Sequence, residues 1–140
     1  MKYISLILFS LLAVLAGCTN HGDIGPLYGQ WVFDSITVDG APLGGVNPQD
    51  FNARFENNIV QIAEKIEAGD QRGCVGVWSE SGHILTLDLT PTAGSGTVPA
   101  AILLEPAVMK LDLEISGKKM RWTYTDASGR TVRYSLHKLM

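Results

Sequence analysis

The feature that most constrains the fold of this chain is a regular alternation of apolar and polar residues in its second half. The alternating segments are residues 85–89, 111–116, 120–125 and 132–137. Successive side chains of a β-strand point to opposite faces, so this period of two is typical of strands with one buried and one solvated face. Short glycine-containing sequences, which favour turns, separate several of these segments. The pattern predicts an all-β fold.

Four less regular strands are predicted in the first half of the chain, at residues 30–38, 51–56, 58–67 and 74–79. Eight strands joined in sequence order suit an eight-stranded antiparallel up-and-down barrel, because closure of the sheet removes its open edges. We find no internal linker and no repeat. The expectation is therefore one barrel domain over residues 29–140.

The lengths of the predicted links differ between the two ends of such a barrel. Tight links are expected at residues 57–58, 80–82 and 117–118, whereas the links near 39–50 and 90–108 are long. Successive links of a meander alternate between the two ends. One end should therefore be closed by tight turns, while long loops surround the other end, which we call the mouth. Long loops on a rigid scaffold are common places for binding sites.

The aromatic residues fall into two groups on this scheme. Three tryptophans are expected near the closed end: Trp31, Trp78 and Trp122. Three other aromatic residues are expected nearer the mouth, where they would form the apolar walls of a ligand site: Phe51, Tyr124 and Tyr134.

The N-terminus has the features of an export signal. Lys2 precedes an apolar run over residues 4–14, and the sequence Leu15-Ala16-Gly17-Cys18 follows it. The run is too short for a membrane-spanning helix, which needs about 18 or more apolar residues. We therefore interpret residues 1–17 as a cleaved signal peptide; the tetrapeptide resembles the lipobox of bacterial lipoproteins.

That resemblance implies lipidation of Cys18. The following residues are polar, contain glycine and proline and show no periodicity, so residues 18–28 are interpreted as the lipidated cysteine and a flexible tether. The implied location is a bacterial cell envelope, with the lipid anchoring the protein to a membrane, most simply the outer membrane of a Gram-negative cell. A cleaved signal without lipidation is the alternative. Cys74 is then left without a disulfide partner, and we expect it to be a small buried hydrophobe rather than a reactive thiol.

At the head of the first strand, Gly29-Gln30-Trp31 resembles the Gly-x-Trp signature of the lipocalins and of the smaller lipocalin-like domains of bacterial lipoproteins. The resemblance implies that Trp31 plugs the closed end and that a cation from the last strand packs over it. Lys138 is the expected cation, because Arg133 lies about 16 Å from the end of that strand. A solvated lysine is the alternative for Lys138.

No sequence motif predicts an enzyme. We find no metalloprotease, nucleophile-elbow or phosphate-loop pattern. His21, His83 and His137 lie in separate segments, so no metal or other cofactor is expected. A net charge of −3 without a basic stripe argues against nucleic acid as a partner.

Two functions remain open. In the first, the anchored barrel binds a small hydrophobic or amphipathic ligand at its mouth. In the second, side chains fill the barrel, which acts as a non-catalytic interaction module for a protein or glycan of the envelope, since eight strands leave little interior space. An apolar run at residues 100–106, inside the long link, is interpreted either as a cover packed over the barrel or as an apolar lip beside the mouth.

Overall fold

The structure, a computed structural model, describes residues 25–139. The signal peptide, Cys18 and the first part of the tether lie outside the described residues. The strands are β1 Gly29–Val38, β2 Ala41–Pro42, β3 Phe51–Glu56, β4 Ile59–Lys65, β5 Gln71–Ser81, β6 Ile84–Asp88, β7 Ser95–Gly96, β8 Val108–Ser116, β9 Lys119–Thr125 and β10 Thr131–Lys138. Three short 3₁₀ helices accompany them, at Pro48–Asp50, Glu67–Gly69 and Ala100–Ile102.

Eight of these strands form a closed antiparallel barrel. Their order around the sheet is β1, β3, β4, β5, β6, β8, β9 and β10, which is also their order along the chain. Antiparallel pairing of β10 with β1, from Trp31 opposite Lys138 to Val38 opposite Val132, closes the barrel. The predicted eight-stranded up-and-down barrel is confirmed.

The two short strands lie outside this barrel path. β2 pairs with the end of β1, and β7 pairs with β5 at Cys74 and Val75. The closed end carries the turns that join β3 to β4, β5 to β6 and β8 to β9. The mouth carries the longer links at residues 39–50 and 89–107, so the predicted difference between the two ends is also confirmed.

An irregularity in β1 sets which of its side chains face inward. Trp31 and Phe33 are buried, but the next buried residue is Ile36, three positions later. The register with β10 shifts between Phe33 and Ser35, which leaves Asp34 as an extra residue. Such a bulge changes the alternation of faces and bends the strand. It lets both ends of β1 contribute large apolar side chains to one interior.

Aromatic side chains fill the barrel interior. The largest fully buried side chains include Trp31, Trp122, Tyr134, Phe33 and Phe55. Trp122 lies near the middle of β9 and makes edge-to-face contacts with Phe33, Phe55 and Tyr134, at ring-centroid distances of 5.5, 6.2 and 5.7 Å. Among the described residues, no charged side chain is buried in this core. The interior is therefore dense and uncharged.

Candidate functional site

Residues 99–106, which we call the mouth segment, cover the open end of the barrel. The segment includes the 3₁₀ helix Ala100–Ile102. Ile102 is 0% exposed and Leu104 is 2% exposed, and both belong to the main hydrophobic core. Of the two interpretations of this apolar run, the structure therefore shows the cover.

Two tyrosine hydroxyls fasten the mouth segment to the barrel wall. The Tyr134 hydroxyl donates to the Ile102 carbonyl at 2.6 Å, and the Tyr124 hydroxyl donates to the Leu103 carbonyl at 2.7 Å. The two rings stack with centroids 6.3 Å apart. Burial raises the pKa of both hydroxyls above the ordinary tyrosine value, so both remain neutral donors at physiological pH.

The three aromatic residues expected near the mouth lie beneath the mouth segment or beside it. Phe51, Tyr124 and Tyr134 lie in the upper and middle parts of the barrel, but they do not line an open mouth. Phe51 is 3% exposed, Tyr134 is 0% exposed, and the mouth segment lies against both tyrosine hydroxyls. Residues 100–106 fold back over the barrel, a long-range contact that strand periodicity does not reveal. A role of the three aromatic residues in ligand binding stays a prediction.

A cleft of about 510 Å³ adjoins the mouth segment. It lies between the link that joins β6 to β8 and the first half of β5. We call it the loop cleft. Its apolar lining includes Cys74, Leu89, Pro91, Val98, Leu104 and Pro106. Leu104 both lines this cleft and belongs to the barrel core, as do Cys74 and Leu89, so the cleft borders the core directly.

Glycines allow the link to approach β5 closely enough to form the cleft. A Cβ atom at Gly94 would lie 1.7 Å from the Val75 carbonyl oxygen, and one at Gly96 would lie 2.3 Å from the Gly73 carbonyl oxygen. Gly96 also has a φ of +90°, which favours glycine. These glycines were not predicted as part of a site, although the Gly94-Ser95-Gly96 sequence inside a long link indicates a close backbone approach.

Cys74 lies at this cleft as a buried, free thiol. Its side chain is 4% exposed, and burial raises its pKa above the usual value. A protonated, buried thiol is a poor nucleophile. Cys74 therefore contributes apolar surface to the cleft.

The closed end is built around Trp31. Its side chain is fully buried, and its Nε1 donates to the Leu27 carbonyl at 2.9 Å. Lys138 Nζ lies 5.6 Å from the Trp31 ring centroid and donates to the Pro26 carbonyl at 3.3 Å. At Gly29, with a φ of +121°, a Cβ would lie 2.9 Å from Lys138 Cε. The glycine of the Gly-x-Trp sequence thus makes room for the lysine that covers the tryptophan.

The other two tryptophans occupy different depths in the barrel. Trp78, near the end of β5, packs edge-to-face on Phe55 at 5.2 Å and lies close to the closed end. Trp122, the fourth residue of β9, lies opposite Tyr134 in the middle layer and also contacts Phe55. The indole Nε1 atoms of both tryptophans are buried without a hydrogen-bond acceptor among the described residues.

Polar side chains on the outside of the barrel form small clusters, one of them around Asp34. His137 Nδ1 lies 2.5 Å from Asp34 Oδ1, and Lys119 Nζ lies 3.8 Å from Asp34 Oδ2. Within residues 25–139, no group of three or more histidine, cysteine or acidic side chains is arranged to hold a metal ion. In the same part of the chain, no helix has the length and apolar character needed to cross a membrane.

Comparison with known proteins supports the fold. No protein-family model and no curated protein sequence matches the chain. Among solved structures, a lipocalin-like protein from Bacteroides uniformis is similar, with a TM-score of 0.59 and 14% identity, over 82% of this chain and 100% of that one. An uncharacterized protein from Bacteroides eggerthii is similar to the same degree, with a TM-score of 0.59 and 13% identity, over 81% of this chain and 99% of that one. The barrel is thus lipocalin-like in its fold.

Proposed function

We propose that this protein is a lipid-anchored lipoprotein of a bacterial envelope that binds a small, predominantly hydrophobic molecule at the barrel mouth. The loop cleft is the observation that carries the proposal. Its volume of about 510 Å³ falls in the range of small-molecule sites, and its lining is largely apolar with a few polar groups, among them Thr90 and Ser95. The proposal involves binding alone and assigns no reaction.

The location of the cleft agrees with this proposal. It is formed by the longest link of the barrel, at the end opposite the chain's entry into β1. A lipid on Cys18 would reach the domain at its closed end, through the tether, and would leave the cleft facing away from the membrane. In the proposed arrangement, ligand exchange takes place in water.

Membrane attachment is tested by replacing the acylated residue. We expect Cys18→Ser to release the protein from the membrane pellet on fractionation, because dual acylation is what holds such a protein to a bilayer. A matched Cys74→Ser variant should remain in the pellet. Retention of the Cys18→Ser protein in the membrane would contradict the anchor.

A second function, a filled barrel that acts as a protein- or glycan-interaction module, is favoured by the packed interior. Ile59 and Val108 add two exposed apolar side chains, 46% and 54% exposed, to the outer surface of the sheet. Under this alternative, the loop cleft is a packing defect, and no small molecule accompanies the protein.

Native mass spectrometry of the purified protein, followed by solvent extraction, separates the two functions. We expect a stoichiometric lipophilic molecule, or uptake of one from a lipid and metabolite pool. Ala100→Trp, at an exposed residue that lines the cleft, should abolish uptake by filling the space. Ala127→Trp, at an exposed turn residue between β9 and β10, is the control and should bind normally. An empty protein that takes up nothing would support the interaction module instead.

A further inference from the structure

We propose that the mouth segment occupies part of the ligand site and is displaced by the ligand, which takes over the hydrogen bonds of Tyr124 and Tyr134. This inference rests on the proposed function and deepens it by assigning a ligand class. That class is an uncharged, mainly apolar molecule that carries a hydrogen-bond acceptor such as a ketone or ester oxygen.

The contacts of the mouth segment are those of a bound ligand. It places two apolar side chains, Ile102 and Leu104, in the barrel core and offers two carbonyl oxygens to the tyrosine hydroxyls. An external molecule with one apolar body and an acceptor oxygen can make the same two kinds of contact. The segment therefore shows by its own chemistry what the upper barrel accepts.

The segment is attached in a way that allows it to leave. It lies outside the barrel strands, between Thr97, whose N–H bonds to the Gly73 carbonyl, and Ala107, whose carbonyl accepts from Leu89. Leu103 has a left-handed φ of 66°, a conformation that costs energy for a residue with a side chain. Displacement would relieve this strain while both anchor points remain in place.

The donors beneath the segment define the ligand's polarity. The Trp122 Nε1 atom, one layer below Tyr124 and beside Tyr134, is buried without an acceptor among the described residues. A buried N–H without a partner is unfavourable, and an incoming acceptor oxygen can satisfy it. The upper and middle barrel thus offers three hydrogen-bond donors to a ligand: the Trp122 Nε1 and the two tyrosine hydroxyls.

Charged ligands fit this interior poorly. Among the described residues, the core holds no buried lysine, arginine or histidine that could neutralise a carboxylate. Burying an unpaired charge is strongly unfavourable. The site should therefore discriminate against fatty-acid anions, even where their chain length suits the space.

The route into the core begins at the loop cleft. Leu104 belongs to the mouth segment, lines the cleft and is 2% exposed within the core, so displacement of the segment would open the upper barrel towards the cleft. A ligand that first occupies the cleft contacts the segment directly. The ligand can then shift the equilibrium between the covered and the displaced mouth segment, by as much as it binds the displaced state more tightly.

Three matched probes test the inference: heptane, 2-heptanone and heptanoate, each titrated calorimetrically into the full chain as purified from cells. We expect 2-heptanone to bind about tenfold more tightly than heptane, which is the effect of one good hydrogen bond, and heptanoate to bind most weakly. In Tyr124→Phe and in the Tyr124→Phe/Tyr134→Phe double variant, the preference for 2-heptanone over heptane should fall towards onefold. If the double variant does not fold, Tyr124→Phe alone provides the comparison of 2-heptanone with heptane.

Hydrogen exchange in the mouth segment provides the second measurement. With 2-heptanone bound, the Leu103 amide, which bonds to the Ala100 carbonyl, should exchange faster. One outcome would overturn the inference and leave the proposed function intact. In that outcome, Ala100→Trp blocks binding, but the exchange rate of the Leu103 amide does not change on binding, and the tyrosine variants keep the preference for 2-heptanone over heptane. Failure of all three probes to bind would also overturn it, and the solvent extraction described above would then decide the proposed function separately.

Discussion

The Tyr134 hydroxyl and the Ile102 carbonyl form a buried hydrogen bond of 2.6 Å between the middle of β10 and the segment that covers the barrel mouth. Both residues are 0% exposed, so neither group can exchange its partner for bulk water. Tyr124 forms a similar bond to Leu103 one layer higher, in a partly buried setting. Closure of the barrel mouth therefore depends on polar contacts as well as on apolar packing.

Removal of the lower bond should destabilise the fold. We expect Tyr134→Phe to lower the free energy of unfolding by about 1–3 kcal/mol, because the Ile102 carbonyl is left buried without its donor. Tyr124→Phe should cost less, since the Leu103 carbonyl lies nearer the surface. Urea denaturation followed by tryptophan fluorescence measures both values. A loss for Tyr124→Phe equal to or larger than that for Tyr134→Phe would contradict this account.

Alkaline pH should weaken the fold through the same two tyrosines. Burial raises the pKa of Tyr134 and of Tyr124 above the ordinary value of about 10, which applies in the unfolded chain. Because the folded pKa values are the higher ones, this contribution to stability is fully present below about pH 10 and is lost as the pH rises further.

The measurement is the urea midpoint across the alkaline range, from about pH 8 to about pH 11. We expect a decline that steepens above about pH 10, and a shallower decline in Tyr134→Phe, which lacks one of the two groups. Identical slopes for the variant and the unmodified protein would show that other groups govern alkaline unfolding.

At the closed end, burial of Trp31 should contribute far more to the free energy of unfolding than the charge of Lys138 over its ring. Trp31→Ala removes a fully buried indole together with its bond to Leu27 and should cost about 3–5 kcal/mol. Lys138→Met keeps the apolar stem over the ring but removes the charge, and should cost about 1 kcal/mol or less. Thermal unfolding of the two variants compares these effects. A loss for Lys138→Met that approaches the loss for Trp31→Ala would contradict this order.

The sequence predicts those strands of the barrel that have one solvated face. The segments that became β6, β8, β9 and β10 alternate cleanly, and all four are present close to the expected bounds. β5 was predicted as residues 74–79 but spans Gln71–Ser81. Its first half contains Gly73, where a Cβ would lie 2.0 Å from the Ile62 carbonyl oxygen, so a close backbone contact replaces the side-chain alternation that periodicity detects.

The site was less predictable than the fold, because its contacts are non-local. The two tyrosine hydroxyls bond to residues that lie 21 and 32 positions away in the sequence. Each acceptor is a backbone carbonyl, which every residue has, so the sequence does not mark it. The alternation places Tyr124 and Tyr134 on the inner face of their strands. It cannot show that residues 100–106 fold over them, since this depends on the path of the whole link between β6 and β8.

The glycines of that link offer the sharpest test of how the loop cleft is built. We expect Gly96→Ala to cost about 1–3 kcal/mol, because its φ of +90° is unfavourable for alanine and a Cβ would lie 2.3 Å from the Gly73 carbonyl oxygen. β7 should then move away from β5 and uncover Cys74, which pairs with Gly96 across the two strands. The rate at which a thiol reagent labels Cys74 measures this movement, and it should rise in the variant.

Gly44→Ala is the matched control at the same end of the barrel. A Cβ at Gly44 would meet no atom within 4 Å, so both the unfolding free energy and the labelling rate should stay close to those of the unmodified protein. Labelling should also slow when a ligand fills the cleft of the unmodified protein, because Cys74 forms part of its lining. Unchanged labelling in Gly96→Ala would mean that β7 does not protect the thiol, which would contradict this account of how the cleft is built.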